Sequence, residues 1–287
     1  MAKGGDVKPE KITFGGQGKE PGKFRIKGYG FGVAVSADNE IFVTDRDNKR
    51  VQVFSMNGTY LRLFPTVVPG ESMAMFPFSV TLDVGPGYLW VLGRGHYEKW
   101  WSKVGYEGHV VQYSKNGQPI KKFDVSLWSV FHHVIAMDVR NNKVIVGDGS
   151  RITMFDPNGS SSKVRTDHGI GGVISDKEGN ILLTNGDETV LKYTQSGVKI
   201  FQFGTYGKAK GQLDSPQGIC LDSSGHIIVA NRENHRVDMF TSTGEFVRTI
   251  VEIKGPWGVA MGPCRELVVT SSYTETVTII PRHMVHP

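Results

Sequence analysis

The sequence predicts an all-β fold made of six copies of one four-stranded meander, a six-bladed β-propeller. Three observations carry this. The stretch Gly32–Phe64 holds four short apolar runs, Gly32–Val35, Ile41–Val43, Val51–Phe54 and Tyr60–Phe64. They are divided by turn clusters at Ala37–Asn39, Asp45–Lys49 and Asn57-Gly58, and Val51/Val53 and Leu61/Leu63 alternate at period two, as strands do. Second, the pattern recurs along the whole chain. Third, 36 glycines in 287 residues are spread through turns rather than gathered in a linker, which suits many short strands. One such sheet cannot cover both its faces, so the copies must stack on one another.

Taken in order, the first strand of each copy falls at Gly32–Val35, Ser79–Leu82, Val134–Met137, Gly172–Ser175, Gly218–Leu221 and Gly258–Met261. The turn between third and fourth strands recurs as Asn57-Gly58, Asn116-Gly117, Asn158-Gly159, Ser196-Gly197 and Thr243-Gly244. After four of these glycines a large apolar residue follows six positions on: Phe64, Phe123, Phe203 and Ile250. Spacings of about 38 to 55 residues belong to propeller blades, and period-two patterning excludes helical solenoids. The sixth copy stops at Ile280 without a fourth strand. Lys11–Gly15 matches Ile200–Gly204, the fourth strand of copy four, and the segments following both stay in step, Gly18 with Gly207 and Gly22 with Gly211. The amino-terminal strand is therefore expected to complete the last blade and remove an open sheet edge. The expected organisation is a disordered extension over 1–10, one propeller over 11–282 and a frayed tail over 283–287.

Composition narrows the class. Cys220 and Cys264 have no metal-ligand spacing and read as free thiols of a reducing, cytoplasmic setting. No charged-then-apolar leader opens the chain, and no apolar run is long enough to span a bilayer. A net charge of +5 leans toward an anionic partner without deciding for one.

The segment G-V-A-V-x-x-x-N-x-I-x-V-T-D-R-x-N-x-R-V-Q-V-F over Gly32–Phe54, led by a G-x-G-x-x-x-G-x-F element, resembles an NHL repeat; Gly218–Phe240 is the other good copy. The array is similar to the carboxy-terminal propeller of tripartite-motif (TRIM) NHL proteins. The resemblance implies a non-catalytic recognition domain, monomeric on its own, that binds RNA or protein in the setting of a ubiquitin ligase. The RING, B-box and coiled coil of such a ligase do not occur in these residues. Copies two, four and six lack the N-x-R element.

Candidate binding residues gather on the rim formed by the loops between second and third strands and by the blade-to-blade connections. Arg46, Arg94 and Arg232 share one position in copies one, two and five, and read either as solvated loop cations or as a partial cationic ring suited to phosphate. The first connection carries Lys23, Arg25, Lys27 and Tyr29, and the fifth carries Lys208 and Lys210. Cations for phosphates among flat rings for unstacked bases make a nucleic-acid surface. An insertion over 94–108 in copy two supplies Trp100 and Trp101; the neighbouring connection supplies Trp128, His132 and His133, and copy six supplies Trp257 and Tyr273. A long aromatic loop in a compact repeat points to function, or to a loop folded over its own blade. Arg50, Arg151 and Arg236 read as structural partners of loop carbonyls or of Asp45 and Asp148.

Catalytic signatures are missing: no H-E-x-x-H, no G-x-S-x-G, no phosphate loop. Thr44, Leu92, Gly147, Thr184, Ala230 and Thr270 end the second strands, a bland lining for a metal-dependent lyase or hydrolase. The expectation is RNA capture, as a stem-loop or a single strand, ahead of protein docking, with no cofactor, no metal and no membrane.

Overall fold

A computed structural model describes residues 10–26, 28–95, 106–129, 132–166 and 169–286. These residues form six four-stranded antiparallel sheets around one axis. Blade one comprises Val33–Val35, Glu40–Asp45, Arg50–Ser55 and Tyr60–Pro65; blade two, Phe76–Leu82, Tyr88–Arg94, Tyr106–Ser114 and Pro119–Leu127. Blade three comprises His133–Asp138, Lys143–Asp148, Arg151–Phe155 and Ser161–Arg165; blade four, Ile170–Ser175, Ile181–Asn185, Val190–Tyr193 and Lys199–Phe203. Blade five holds Pro216–Leu221, Ile227–Asn231, Arg236–Phe240 and Phe246–Glu252. In blade six, Pro256–Met261, Leu267–Ser271 and Thr276–Ile280 are completed by Ile12–Gly15, with Ile12 opposite Ile279 and Phe14 opposite Val277. The sequence-predicted closure is the one observed.

The apolar face of each sheet is buried against its neighbour, so the core is six wedges, one between each pair of adjacent blades. The spacing of glycine and large apolar residue has a physical cause. The fourth-strand side chain of one blade lies on the turn glycine of the next: Phe64 on Gly117, Phe123 on Gly159, Val164 on Gly197, Phe203 on Gly244, and Phe14 on Gly58. Nearer the axis, Thr44, Thr184 and Thr270 each turn a hydroxyl to a neighbouring blade, reaching Phe78 O at 3.4 Å, Gln217 O at 2.6 Å and Phe31 O at 2.7 Å. Three of the six residues that looked bland at the ends of second strands are hydrogen-bonded staples between blades.

One expectation for the carboxy terminus is corrected. Blade six draws its third and fourth strands from opposite ends of the chain, so no glycine turn joins them and nothing of that kind covers Ile250. A short helix, Arg282–Val285, fills the gap: Val285 is buried with Ile250, and Arg248 Nη2 donates to Met284 O at 2.5 Å. Residues 283–285 are therefore ordered by packing, not frayed.

Candidate functional site

Five blades bring their chemistry to the mouth of the central channel. Arg46 follows the second strand of blade one and Arg94 ends that of blade two. Their guanidinium carbons lie 5.7 and 5.9 Å from the ring of Phe78, which stands on the inner strand of blade two. Gly30 lets the chain pass close over this layer, since a Cβ there would meet Phe78 at 2.9 Å. Both arginines are buried, at 8% and 5% exposure, so they are floor residues rather than free rim cations. Arg46 Nε is held by Asp47 Oδ1 at 2.8 Å, and Arg94 also lies over Tyr106 at 4.7 Å.

His133 completes this layer from blade three, its ring edge-on to Phe78 at 4.5 Å and its Nδ1 3.1 Å from Asp148 Oδ1. Its Nε2 is buried with no hydrogen-bond partner among the described residues. Asp148 also accepts from the backbone N–H groups of Trp128 and Ser129, tying the preceding connection to the strand end. His132 points the other way, as adjacent strand-start residues must. It reaches Trp257 of blade six, stacked at 6.0 Å, and Tyr29 at 6.5 Å, while Tyr29 and Trp257 meet edge-on at 6.0 Å. Three rings from three points of the circle thus close together over the axis. Arg232 from blade five covers Trp257 at 5.4 Å and Tyr273 at 5.1 Å, and pairs with Glu233 at 2.9 Å. Glu233 also accepts from the Tyr273 hydroxyl at 2.7 Å.

Burial lowers the pKa of His133, against the pull of Asp148, and the charges of Arg94 and Arg46 lower it further. Burial likewise lowers His132, followed by the charges of His133 and Arg232, while the Gln217 amide opposes the shift. Both imidazoles are neutral at pH 7. Their folded pKa values lie below the unfolded value of about 6.5, so the unfolded chain takes up protons first as pH falls. Stability is expected to be greatest above about pH 6.5 and to fall as pH drops from there toward the lower folded values. A melting temperature that declines as pH falls below about 6.5, less steeply in His133→Gln, is the expected profile; identical slopes for the two proteins would disprove the assignment.

The structure joins Tyr29, Arg46, Arg94, His132, His133, Arg232, Trp257 and Tyr273 into one contiguous set. Trp257 is buried and shapes the mouth rather than offering a free stacking face. Lys23 donates to Gly15 O at 2.7 Å and so also holds the closing strand. Arg25 is half-buried, its backbone N–H donating to Asp45; Lys208 and Lys210 are exposed on the fifth connection. Trp128 stands apart at the edge between blades two and three, over Arg151 at 4.1 Å. Lys27, Trp100 and Trp101 lie outside the described residues. Phe78, at the centre of the arginine layer, escaped the sequence reading; its only signal was its place just before the inner strand of copy two.

Arg50 and Arg236 are structural. Arg50 Nε meets Asp45 at 2.6 Å and its Nη2 reaches Glu20 O and Lys23 O; Arg236 Nε meets Asp238 at 2.8 Å and caps Lys208 O and Ala209 O. The carboxylate has changed strands between the two blades. In blade one it is Asp45 on the second strand, bonded to Gln52; in blade five it is Asp238 on the third, bonded to Asn231.

A family model for the NHL repeat matches residues 32–54 and 213–238, within blades one and five. Protein lin-41 of Caenorhabditis elegans is 46% identical over 48 residues, 17% of this chain and 4% of that protein. E3 ubiquitin-protein ligase TRIM71 of Rattus norvegicus is 39% identical over 54 residues, 19% of this chain and 6% of that protein. Protein brain tumor of Drosophila melanogaster is 29% identical over 133 residues, 45% of this chain and 12% of its own length. The matched segments are thus a small part of each relative. Among solved structures, a Bacteroides thetaiotaomicron protein of unknown function superposes with a TM-score of 0.70 at 12% identity, covering 94% of this chain and 76% of that one. Virginiamycin B lyase of Staphylococcus aureus gives 0.61 at 11% identity, covering 94% and 97%. At such identities the likeness is one of fold. The chain is a six-bladed β-propeller carrying NHL repeats, similar over 48 and 54 residues to the NHL regions of lin-41 and TRIM71.

Proposed function

We propose that the rim of second-to-third-strand loops and blade-to-blade connections captures RNA at the channel mouth. The observation that carries this reading is two adjoining clusters: Arg46 and Arg94 flank Phe78 beside His133, and the neighbouring His132 reaches Trp257, which Arg232 covers. Guanidinium groups take phosphate oxygens in pairs, and the rings between them set the shape a nucleotide must fit. Tyr29 and Tyr273 flank the mouth, and Lys23, Arg25, Lys208 and Lys210 extend the positive charge along two connections. Lys27, Trp100 and Trp101, which lie outside the described residues, remain sequence-based candidates for the same role. The likeness to the NHL regions of lin-41 and TRIM71 supports a recognition role.

The test is selection from a random RNA pool at physiological salt, followed by binding to the Arg46→Gln/Arg94→Gln/Arg232→Gln variant, with circular dichroism as a check on folding. Each phosphate contact to a single strand contributes about 0.7 to the slope of log K against log salt, so three lost contacts lower it by about 2. Unchanged affinity and slope in a folded variant would end the proposal.

A second reading, protein docking, has its own observation. Tyr206, Tyr273 and Trp128 are exposed at 66%, 48% and 46%. Exposed Trp and Tyr are the residues that dominate protein interfaces. A partner that survives nuclease treatment and is lost on Trp128→Ala/Tyr206→Ala would favour this reading.

A further inference from the structure

Away from the channel, the upper edge of blade two carries a cluster that RNA capture does not use. His109, on the third strand of that blade, is 2% exposed, and its Nδ1 is 2.9 Å from Oδ1 of Asp124, its directly paired neighbour on the fourth strand. One nitrogen of His109 and one carboxylate oxygen each from Glu71 and Glu107 lie within 4.8 Å of one another. Glu71 arrives on the connection from blade one, and Glu107 stands two residues before His109 on the same face of the strand.

An imidazole withdrawn from water, with one nitrogen fixed by a carboxylate and two further carboxylates in reach, is how proteins present a histidine to a metal. The tautomer with its Nδ1 proton toward Asp124 would leave the Nε2 lone pair for an ion. Charge points the same way. Among the described residues, Glu71, Glu107 and Asp124 have one ammonium paired with them, Lys122, whose Nζ is 3.2 Å from both Glu71 and Asp124. We propose that Glu71, Glu107 and His109 form a binding site for a divalent cation of the zinc class, with Asp124 orienting the imidazole. One nitrogen and two carboxylate oxygens, with water in the fourth place, suit zinc's tetrahedral preference. This departs from the sequence-based expectation of no metal, which rested on motif spacing; Glu71 and His109 meet only through the fold.

The test is calorimetric titration of the chelator-stripped, full-length chain with Zn2+, paired with melting curves. Wild type is expected to bind one ion at this cluster and to melt higher in its presence, as any ligand of the folded state requires. Glu71→Gln/Glu107→Gln, at exposed positions, is expected to lose that binding and the rise in melting temperature. Asp124→Asn is expected to bind about 10- to 100-fold more weakly while retaining its zinc-free melting temperature. Lys122→Met, which removes a competing cation, is expected to bind more tightly. Zinc binding that persists unchanged in Glu71→Gln/Glu107→Gln, or no binding by wild type, would overturn the proposal.

Discussion

A chain shortened to begin at Gly16 is expected to melt about 10 °C below the 287-residue chain and to self-associate. The closing strand Ile12–Gly15 pairs over its whole length with Thr276–Ile279, and Phe14 packs at 4.6 Å on Phe54 across the junction with blade one. Losing a packed phenylalanine costs about 3–5 kcal/mol at a fully buried site. At about 2–4 °C per kcal/mol for a chain of this size, the fall follows. The cut also bares the edge of Thr276–Ile280, and an unpaired apolar edge recruits other chains. Calorimetry and light scattering would check both effects. A truncated chain that melts with wild type as a monomer would refute the role given to the strand.

Gly117→Ala is expected to cost about 2–5 kcal/mol, the sum of left-handed backbone strain and overpacking. Gly117 has φ +87°, and an added Cβ would lie 2.2 Å from Cβ of Phe64. That atom is one bond from the main chain of a paired strand, so it cannot swing away. Gly22→Ala is the control: φ is +82° there, yet nothing lies within 4 Å of the added atom. It should cost only the backbone strain, about 1–2 kcal/mol. Denaturant unfolding of the two variants separates the effects, and equal losses would mean that the blade-to-blade contact contributes nothing.

The architecture was legible because it rests on repetition. Strand register, the turn glycines and the match of Lys11–Gly15 to Ile200–Gly204 are all one-dimensional patterns. The partner of each spaced apolar residue was not, because Phe64 and Gly117 belong to different blades and no local pattern links them. The site divided along the same line. Register placed Arg46, Arg94 and Arg232 at one position, but their burial depends on Phe78 and Trp257, contributed by neighbouring inner strands. His132 was visible as half of a histidine pair; its reach to Tyr29 and Trp257 is a property of the closed ring. Arg50 and Arg236 were read as structural, and the hydrogen-bond pattern explains why they recur.

The exchange of Asp45/Gln52 in blade one for Asn231/Asp238 in blade five limits how such a ring can be rearranged by recombination. Grafting the third strand of blade five alone into blade one would set Asp238 against Asp45, two acids sharing one arginine. The reverse graft would face Asn231 with Gln52 and strand that arginine with no acid at all. The smallest transferable unit in this protein is therefore the hairpin of second and third strands moved together, so that evolution or design must cut at its outer boundaries.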